Sequence, residues 1–165
     1  MRVTRILGHL LRPAFLARRC FTAQVLDQIE RVIHEVEAQH AGEIRFAVET
    51  ALDLPRLWRG VSPRDCALDA FSQLRVWDTA RNNGVLIYVL FADRDVEIVA
   101  DRGISERVSQ AEWEAVCRAM EEHFRAGRFG PGAVAGVRGV GRLLAQHFPH
   151  TPGDRNELPD RPALL

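Results

Sequence analysis

The chain has 165 residues, 47% of them hydrophobic, which suffices for one buried core but not comfortably for two. Its 22 basic residues are all arginine and 22 acidic residues balance them, so the net charge of zero gives no indication of a nucleic-acid partner. The absence of lysine excludes Schiff-base chemistry and a lysine-containing phosphate loop. Three widely spaced cysteines form neither a disulfide framework nor a zinc motif, and they favour a reducing, cytoplasmic compartment. No apolar run reaches the length of about 18 to 20 residues that spans a bilayer.

Residues 1–21 are strongly basic, because they contain five arginines while the first acidic residue is Asp27. Leucine, isoleucine and phenylalanine alternate with these arginines, and Arg12-Pro13 interrupts the apolar core that a signal peptide needs. We interpret the segment as an amphipathic arm. It either packs on the domain or is disordered, or it lies on an anionic membrane surface as a peripheral anchor. An organelle transit peptide is a further alternative.

The middle of the chain predicts a βαβ unit followed by a hairpin. Residues 43–50 alternate between polar and apolar and predict the first strand, after a helix that Thr22 caps. Ser62-Pro63 begins a crossover helix, and the unbroken apolar run in 84–92 predicts a central strand that is buried on both faces. A tight turn then leads into 95–100, where Glu97 indicates a strand nearer the edge.

Two more helices and a tail follow. Ser109 and Glu112 form a capping box at the start of the third helix, and a glycine-rich last helix begins near Gly130. Its glycines predict close approach to a neighbouring helix or sheet. From Pro149 onward the composition is typical of a disordered tail. We therefore expect an α/β fold, a three-layer α/β/α sandwich with a small mixed sheet and about four flanking helices, over residues 22–148.

Polar residues collect at both ends of the predicted sheet. One end holds Glu49, Asp53, Asp93 and Asp95, and the other holds Asp78, Asn82, Asn83, Asp101 and Ser105. Either cluster could hold a hard cation such as Ca²⁺ or Mg²⁺ through oxygen ligands, and the second could also receive an anion on backbone N–H groups. Ordinary turn chemistry is the simpler alternative for both, because Asp and Asn favour turns.

An ordered set of segments resembles the TPM domain family. It comprises residues 43–49, Ala70-Phe71 with Trp77, residues 82–87, Asp93-Arg94, Gly103-Ile104, and Phe129 with the glycine-rich helix after it. The resemblance covers roughly residues 22–148 and implies an α/β/α sandwich. It also implies a mixed functional background, since the family name derives from a thylakoid phosphatase, a photosystem repair factor and a membrane-receptor modulator.

The resemblance directs attention to the second polar cluster. We expect a ligand-binding site at Asn82, Asn83, Gly84, Arg102 and Gly103, with Asp78 and Asp101 as metal ligands. Asn83, Gly84 and Gly103 match the family best, as turn residues that shape its expected site. No nucleophile or acid–base pair is recognisable, so the first functional hypothesis is a non-catalytic interaction module that works with a protein partner or membrane complex. The alternative is a weak phosphatase that depends on a divalent metal ion.

Overall fold

The computed structural model describes residues 5, 8–9, 14–153 and 155–165. Within these residues, seven helices surround a four-stranded sheet. The helices are α1 (Ala14–Cys20), α2 (Ala23–Glu37), α3 (Leu54–Arg59), α4 (Pro63–Gln73), α5 (Arg102–Ser105), α6 (Gln110–Arg125) and α7 (Phe129–His147). The strands are β1 (Glu43–Glu49), β2 (Gly84–Leu90), β3 (Asp95–Ala100) and β4 (Ala163–Leu164).

The sheet is mixed, with the strand order β3-β2-β1-β4. Strand β1 is parallel to β2, with Glu43 opposite Gly84 and Glu49 opposite Leu90, and β2 is antiparallel to β3. The predicted βαβ unit and the hairpin are therefore confirmed. Every residue of β2 is buried and β3 lies at the edge, as the apolar pattern of the two segments predicts.

Helices cover both faces of the sheet. Apolar residues on one face, including Phe46 and Ile87, pack against α2, α6 and α7. The other face, with Leu86 and Tyr88, packs against α4 and the short helix α3. This confirms the three-layer sandwich. The four main helices of the prediction are α2, α4, α6 and α7, and α1, α3 and α5 are additional short helices.

The glycines of α7 allow the close helix packing that the sequence predicts. A Cβ atom on Gly136 would lie 2.1 Å from Met120 Sδ on α6, and one on Gly141 would lie 2.8 Å from Val36 Cβ on α2. Helix α7 therefore packs closely against both neighbouring helices.

The structure differs from the prediction of a disordered tail at 149–165. The chain returns along β1, where Leu158 is buried and β4 pairs in parallel with β1. Arg45 Nη1 donates to the carbonyl oxygen of Pro159 at 2.7 Å, and Glu43 accepts hydrogen bonds from the N–H groups of Glu157 and Leu158 at 3.1 Å. These long-range bonds order a segment whose local composition favours disorder. The domain boundaries at residues 21 and 148 stay a prediction.

No helix in the described part of the chain is long and apolar enough to cross a bilayer.

Candidate functional site

Two turns meet at the start of β2, because β2 and β3 are antiparallel. The N–H of Asp101 donates to the carbonyl oxygen of Gly84 at 2.9 Å, and that of Gly103 donates to the carbonyl oxygen of Asn82 at 3.1 Å. Arg102 reaches across and donates to Asn82 Oδ1 through Nε at 3.3 Å and Nη2 at 3.2 Å. The structure thus places the expected ligand-binding residues next to one another.

The two glycines of this site allow a close approach of backbone segments. A Cβ atom on Gly84 would lie 2.0 Å from the carbonyl oxygen of Val76, and one on Gly103 would lie 2.5 Å from that of Asn82. Both obstacles are backbone atoms, which move only with their segments. Any other residue at Gly84 would therefore displace the segment of Val76, and any other residue at Gly103 would force the two turns apart.

Asn83 and Asp101 each have one satisfied and one unsatisfied side-chain atom. Asn83, which is 4% exposed, donates through Nδ2 to the carbonyl oxygen of Ala41, and Asp101 Oδ1 accepts from the N–H of Arg102 at 2.7 Å. Asn83 Oδ1 and Asp101 Oδ2 are buried, and neither has a hydrogen-bond partner among the described residues. A buried oxygen without a partner is unfavourable, so both atoms retain unused capacity to accept a hydrogen bond.

Asp78 lies in an exposed turn after α4, where its N–H donates to the carbonyl oxygen of Arg75. In the part of the chain that the structure describes, no three His, Cys, Asp or Glu side chains are grouped to hold a metal ion. Binding of Ca²⁺ or Mg²⁺ by Asp78 and Asp101 stays a prediction.

A cleft of about 470 Å³ opens beside these turns and includes residues that the sequence pattern did not indicate. Asn83 and Gly103 form one part of its wall, and the end of α7 forms another. Residues from both sources line it: Ala41, Arg81, Asn83, Gly103, Glu106, Arg107, His147, Phe148, Pro149 and Thr151. His147 and Phe148 reach the cleft because the N–H of Ala41 donates to the carbonyl oxygen of Phe148 at 2.9 Å. A local motif carries no signal for this contact between distant segments.

The opposite end of the sheet contains a buried polar cluster. Tyr88 Oη donates to Glu49 Oε2, and Arg56 pairs with Glu49 Oε1. Burial and the neighbouring Glu49 raise the pKa of Tyr88 well above its usual value, and burial raises the pKa of the Cys66 thiol. Raised pKa values keep both groups protonated, so neither is an activated nucleophile. Of the carboxylates expected at this end, Glu49 has a structural role in this cluster, and Asp53 caps α3 by accepting from the N–H of Arg56 at 2.9 Å.

Asp93 lies at the same end and binds residues of the basic arm. Its carboxylate pairs with Arg5 at 2.9 Å and accepts from His9 Nε2 at 2.9 Å. The N–H of Leu52 donates to His9 Nδ1 at 3.0 Å, so the ring is neutral with its proton on Nε2. The described residues of the arm therefore pack on the domain.

Comparison with known proteins decides the family. A scan against protein families matches residues 17–143 to the TPM domain. The NMR structure of BA42 protein from the psychrophilic bacterium Bizionia argentinensis is similar to this chain, with a TM-score of 0.77 and 33% identity over 87% of this chain and 94% of that one. The chain belongs to the TPM domain family.

A second solved TPM-fold structure is more distant. The solution NMR structure of the N-terminal domain of a protein from P. gingivalis matches with a TM-score of 0.58 and 20% identity, over 73% of this chain and 75% of that chain. At this identity the likeness shows the fold alone. The comparison with curated proteins returned no match. The TPM assignment thus confirms the family resemblance and the sandwich fold.

Proposed function

We propose that this TPM domain is a non-catalytic accessory module that docks on an anionic membrane surface and serves a membrane-associated protein complex there. The observation that carries the proposal is the pair of exposed apolar side chains on α3, Leu54 and Trp58. They lie at the end of the sheet that also binds the basic arm.

Helix α3 presents one apolar surface to the core and another to solvent. Leu57 is 4% exposed and anchors the helix, whereas Leu54 is 53% exposed and Trp58 is 78% exposed. Residues four apart lie on the same side of a helix, so Leu54 and Trp58 form one outward surface. Tryptophan favours the interface between lipid and water, because its ring is apolar and its N–H is polar.

The basic arm lies beside this surface. Arg5 Nη1 donates to the carbonyl oxygen of Val61 at 3.0 Å, and His9 binds the N–H of Leu52, so the arm contacts the residues on either side of α3. In α1, Phe15 is 58% exposed and lies near the exposed Arg18 and Arg19 in sequence. Arginines beside exposed aromatic residues favour an anionic lipid surface.

The chemistry of the thiols supports a non-catalytic module in a reducing compartment. All three cysteines are free. Burial raises the pKa of all three thiols, and that of Cys117 rises to about 12. These thiols stay protonated near neutral pH, and free thiols fit docking at the cytoplasmic face of a membrane.

Flotation with lipid vesicles tests the proposal. The full chain should float with vesicles that contain phosphatidylglycerol and not with vesicles of phosphatidylcholine alone, and added salt should weaken the binding. Replacing both Leu54 and Trp58 by alanine should lower the bound fraction about tenfold, since the variant has less apolar surface for the membrane to bury. Trp77→Ala is the matched control, because Trp77 is 50% exposed at the other end of the sheet. Equal flotation with both lipids, or none with either, would remove the membrane part of the proposal.

A second candidate function is a weak phosphatase that depends on a divalent cation. It is favoured by Asp101 Oδ2 and Asn83 Oδ1, two buried oxygens of the kind that Ca²⁺ and Mg²⁺ prefer. The Arg102 guanidinium donates to Asn82 Oδ1 on the adjoining turn. Amide shifts on titration with each cation, together with hydrolysis of an aryl phosphate, should then change in Asp101→Asn. Absence of shifts around Asp101 at millimolar metal, or unchanged turnover in the variant, would contradict this function.

A further inference from the structure

The cleft between the Asn83 turn and the end of α7 contains two buried polar atoms for which the described residues provide no hydrogen-bond partner. Asn83 Oδ1 is one of them, and its neighbour Nδ2 is already bound to the carbonyl oxygen of Ala41. His147 Nε2 is the second, and it is also buried without a partner among the described residues. Both residues line the cleft. Because the Asn83 side chain is 4% exposed, its lone acceptor costs free energy until a donor reaches it.

Two arginines at the same cleft are held in place by its walls. Arg81 Nη1 donates to Thr151 Oγ1 at 2.7 Å, and the Arg107 guanidinium lies 5.1 Å from the centre of the Phe148 ring. Both arginines are exposed, so each keeps N–H groups for a ligand. Glu106 is the acidic residue of the lining. The cleft therefore offers an excess of positive charge at its rim and a hydrogen-bond acceptor in its wall.

The backbone of the cleft argues for a carboxylate over a phosphate group. Phosphate sites commonly use several free backbone N–H groups. Here the N–H groups of Ala41, Asn83, Gly103 and Arg107 already donate to other atoms of the protein. The side-chain donors at the cleft include the guanidinium groups of Arg81 and Arg107 and the ring of His147. A planar carboxylate matches the planar guanidinium group and needs fewer donors than a phosphate dianion.

We propose that this cleft binds a carboxylate that carries a neighbouring N–H group, the chemistry of an N-acylated amino acid or of a peptide C-terminus. Arg81 and Arg107 would hold the carboxylate. Asn83 Oδ1 would accept the ligand N–H, and Phe148 would contact its apolar side chain. The inference does not rest on membrane docking, because that surface lies at the opposite end of the sheet.

NMR titration of the full chain tests the proposal. The probes are N-acetylalanine, an N-acetylated tetrapeptide that ends in alanine, and the same tetrapeptide with an amidated C-terminus. The free acids should shift the amide signals of Ala41, Asn83, Gly103 and His147, and the amidated peptide should not. The double variant with Arg81→Gln and Arg107→Gln should bind at least about tenfold more weakly, since it loses charge-assisted hydrogen bonds. Arg128→Gln, an exposed arginine outside the cleft, should bind as the parent does.

The outcomes separate the sources of the ligand and can overturn the idea. Tighter binding of the tetrapeptide than of N-acetylalanine would indicate a protein C-terminus, and equal binding would indicate a small carboxylate. Absence of cleft shifts at millimolar free acid would overturn the proposal, as would equal binding of the acid and the amide. Competition by inorganic phosphate at the same concentration would do so too, by making the cleft a general anion site. Flotation would be unaffected by any of these results, so the two proposals fail independently.

Discussion

The ionisation of Tyr88 can be followed directly by absorbance, because Tyr88 is the only tyrosine in the chain. It is fully buried and donates its hydroxyl proton to Glu49, and burial and this carboxylate raise its pKa. The folded state therefore binds the hydroxyl proton more tightly than the unfolded state, whose tyrosine titrates near pH 10. The free energy of unfolding must then fall as the pH rises above about 10. We expect tyrosinate absorbance to appear only together with the loss of circular dichroism.

The variant Tyr88→Phe provides the control for this titration. It removes the titrating group, so its stability should depend less steeply on pH above about 10. Near neutral pH it should lose about 1 kcal/mol of unfolding free energy, the typical value of one buried hydrogen bond. Tyrosinate absorbance in the folded parent near pH 10 would show that the Glu49 contact does not hold the proton.

Substitution of Asp95 should stabilise the protein at neutral pH, whereas Tyr88→Phe should destabilise it. Burial, with Glu97, Glu121 and Asp93 nearby, raises its pKa to about 6. Its unfolded pKa is near 4, so the free energy of unfolding falls as the pH rises from about 4 to 6 and stays lower above that range. Asp95→Asn should therefore stabilise the protein at neutral pH by about 1 kcal/mol after solvent screening, and the gain should vanish below about pH 4. Urea denaturation at both pH values measures this, with the exposed Asp69→Asn as control. An equal gain at low and neutral pH would exclude an ionisation effect.

At the scale of elements, β4 protects the side of β1 that would otherwise be a sheet edge. Leu158 is buried beside it, and the N–H of Leu165 donates to the carbonyl oxygen of Val48 at 2.9 Å. Deleting residues 157–165 should lower the unfolding free energy by about 2 to 4 kcal/mol, from lost apolar burial and lost hydrogen bonds. It should also promote association through the exposed edge, which light scattering detects. Arg161→Gln should cost much less, because Arg161 forms exposed ion pairs with Asp27 and Glu30. A monomeric deletion variant of parent stability would contradict the role of β4.

The sequence predicts elements whose signals are local. Apolar periodicity identifies β1, β2 and β3, and Ser109 with Glu112 locates the start of α6, since each depends on neighbours a few residues away. Helix α3 has a local signal too, Asp53 as cap before Pro55, but at six residues it is too short for periodicity to show. Strand β4 has no such signal, because it forms by pairing with free backbone groups of β1, which is distant in sequence. The cleft follows the same division. Asn83 and Gly103 are predictable as turn residues, whereas His147 and Thr151 reach it only through the tertiary fold.

At the scale of the whole molecule, the two ends of the sheet have different surfaces although the net charge of the chain is zero. The end where β2 begins holds the cleft with Arg81 and Arg107. The end where β2 finishes holds α3 and binds the basic arm through Asp93. The parallel arrangement of β1 and β2 causes this separation, because the loops before both strands collect at one end and the loops after them at the other. The two proposed binding surfaces therefore lie at opposite ends of one domain.

Asp93 should decide whether the basic arm stays on the domain. It is the shared partner of Arg5 and His9, so Asp93→Ala removes both contacts at once and leaves the His9 proton without an acceptor. The chain contains no lysine, and trypsin therefore cuts it only after arginine. Limited proteolysis of Asp93→Ala should cut first after Arg5, since proline follows Arg12, and do so several times faster than in the parent, because cleavage follows the population of the released arm.

The exposed Asp69→Ala serves as the control and should digest like the parent. Mass spectrometry identifies the first cut, which separates release of the arm from general unfolding. First cuts inside residues 22–148, or an unchanged rate in the arm, would show that Asp93 does not hold it. If docking uses the arm arginines, Asp93→Ala should also float more strongly with anionic vesicles, since Arg5 loses its carboxylate partner and becomes available to lipid phosphates.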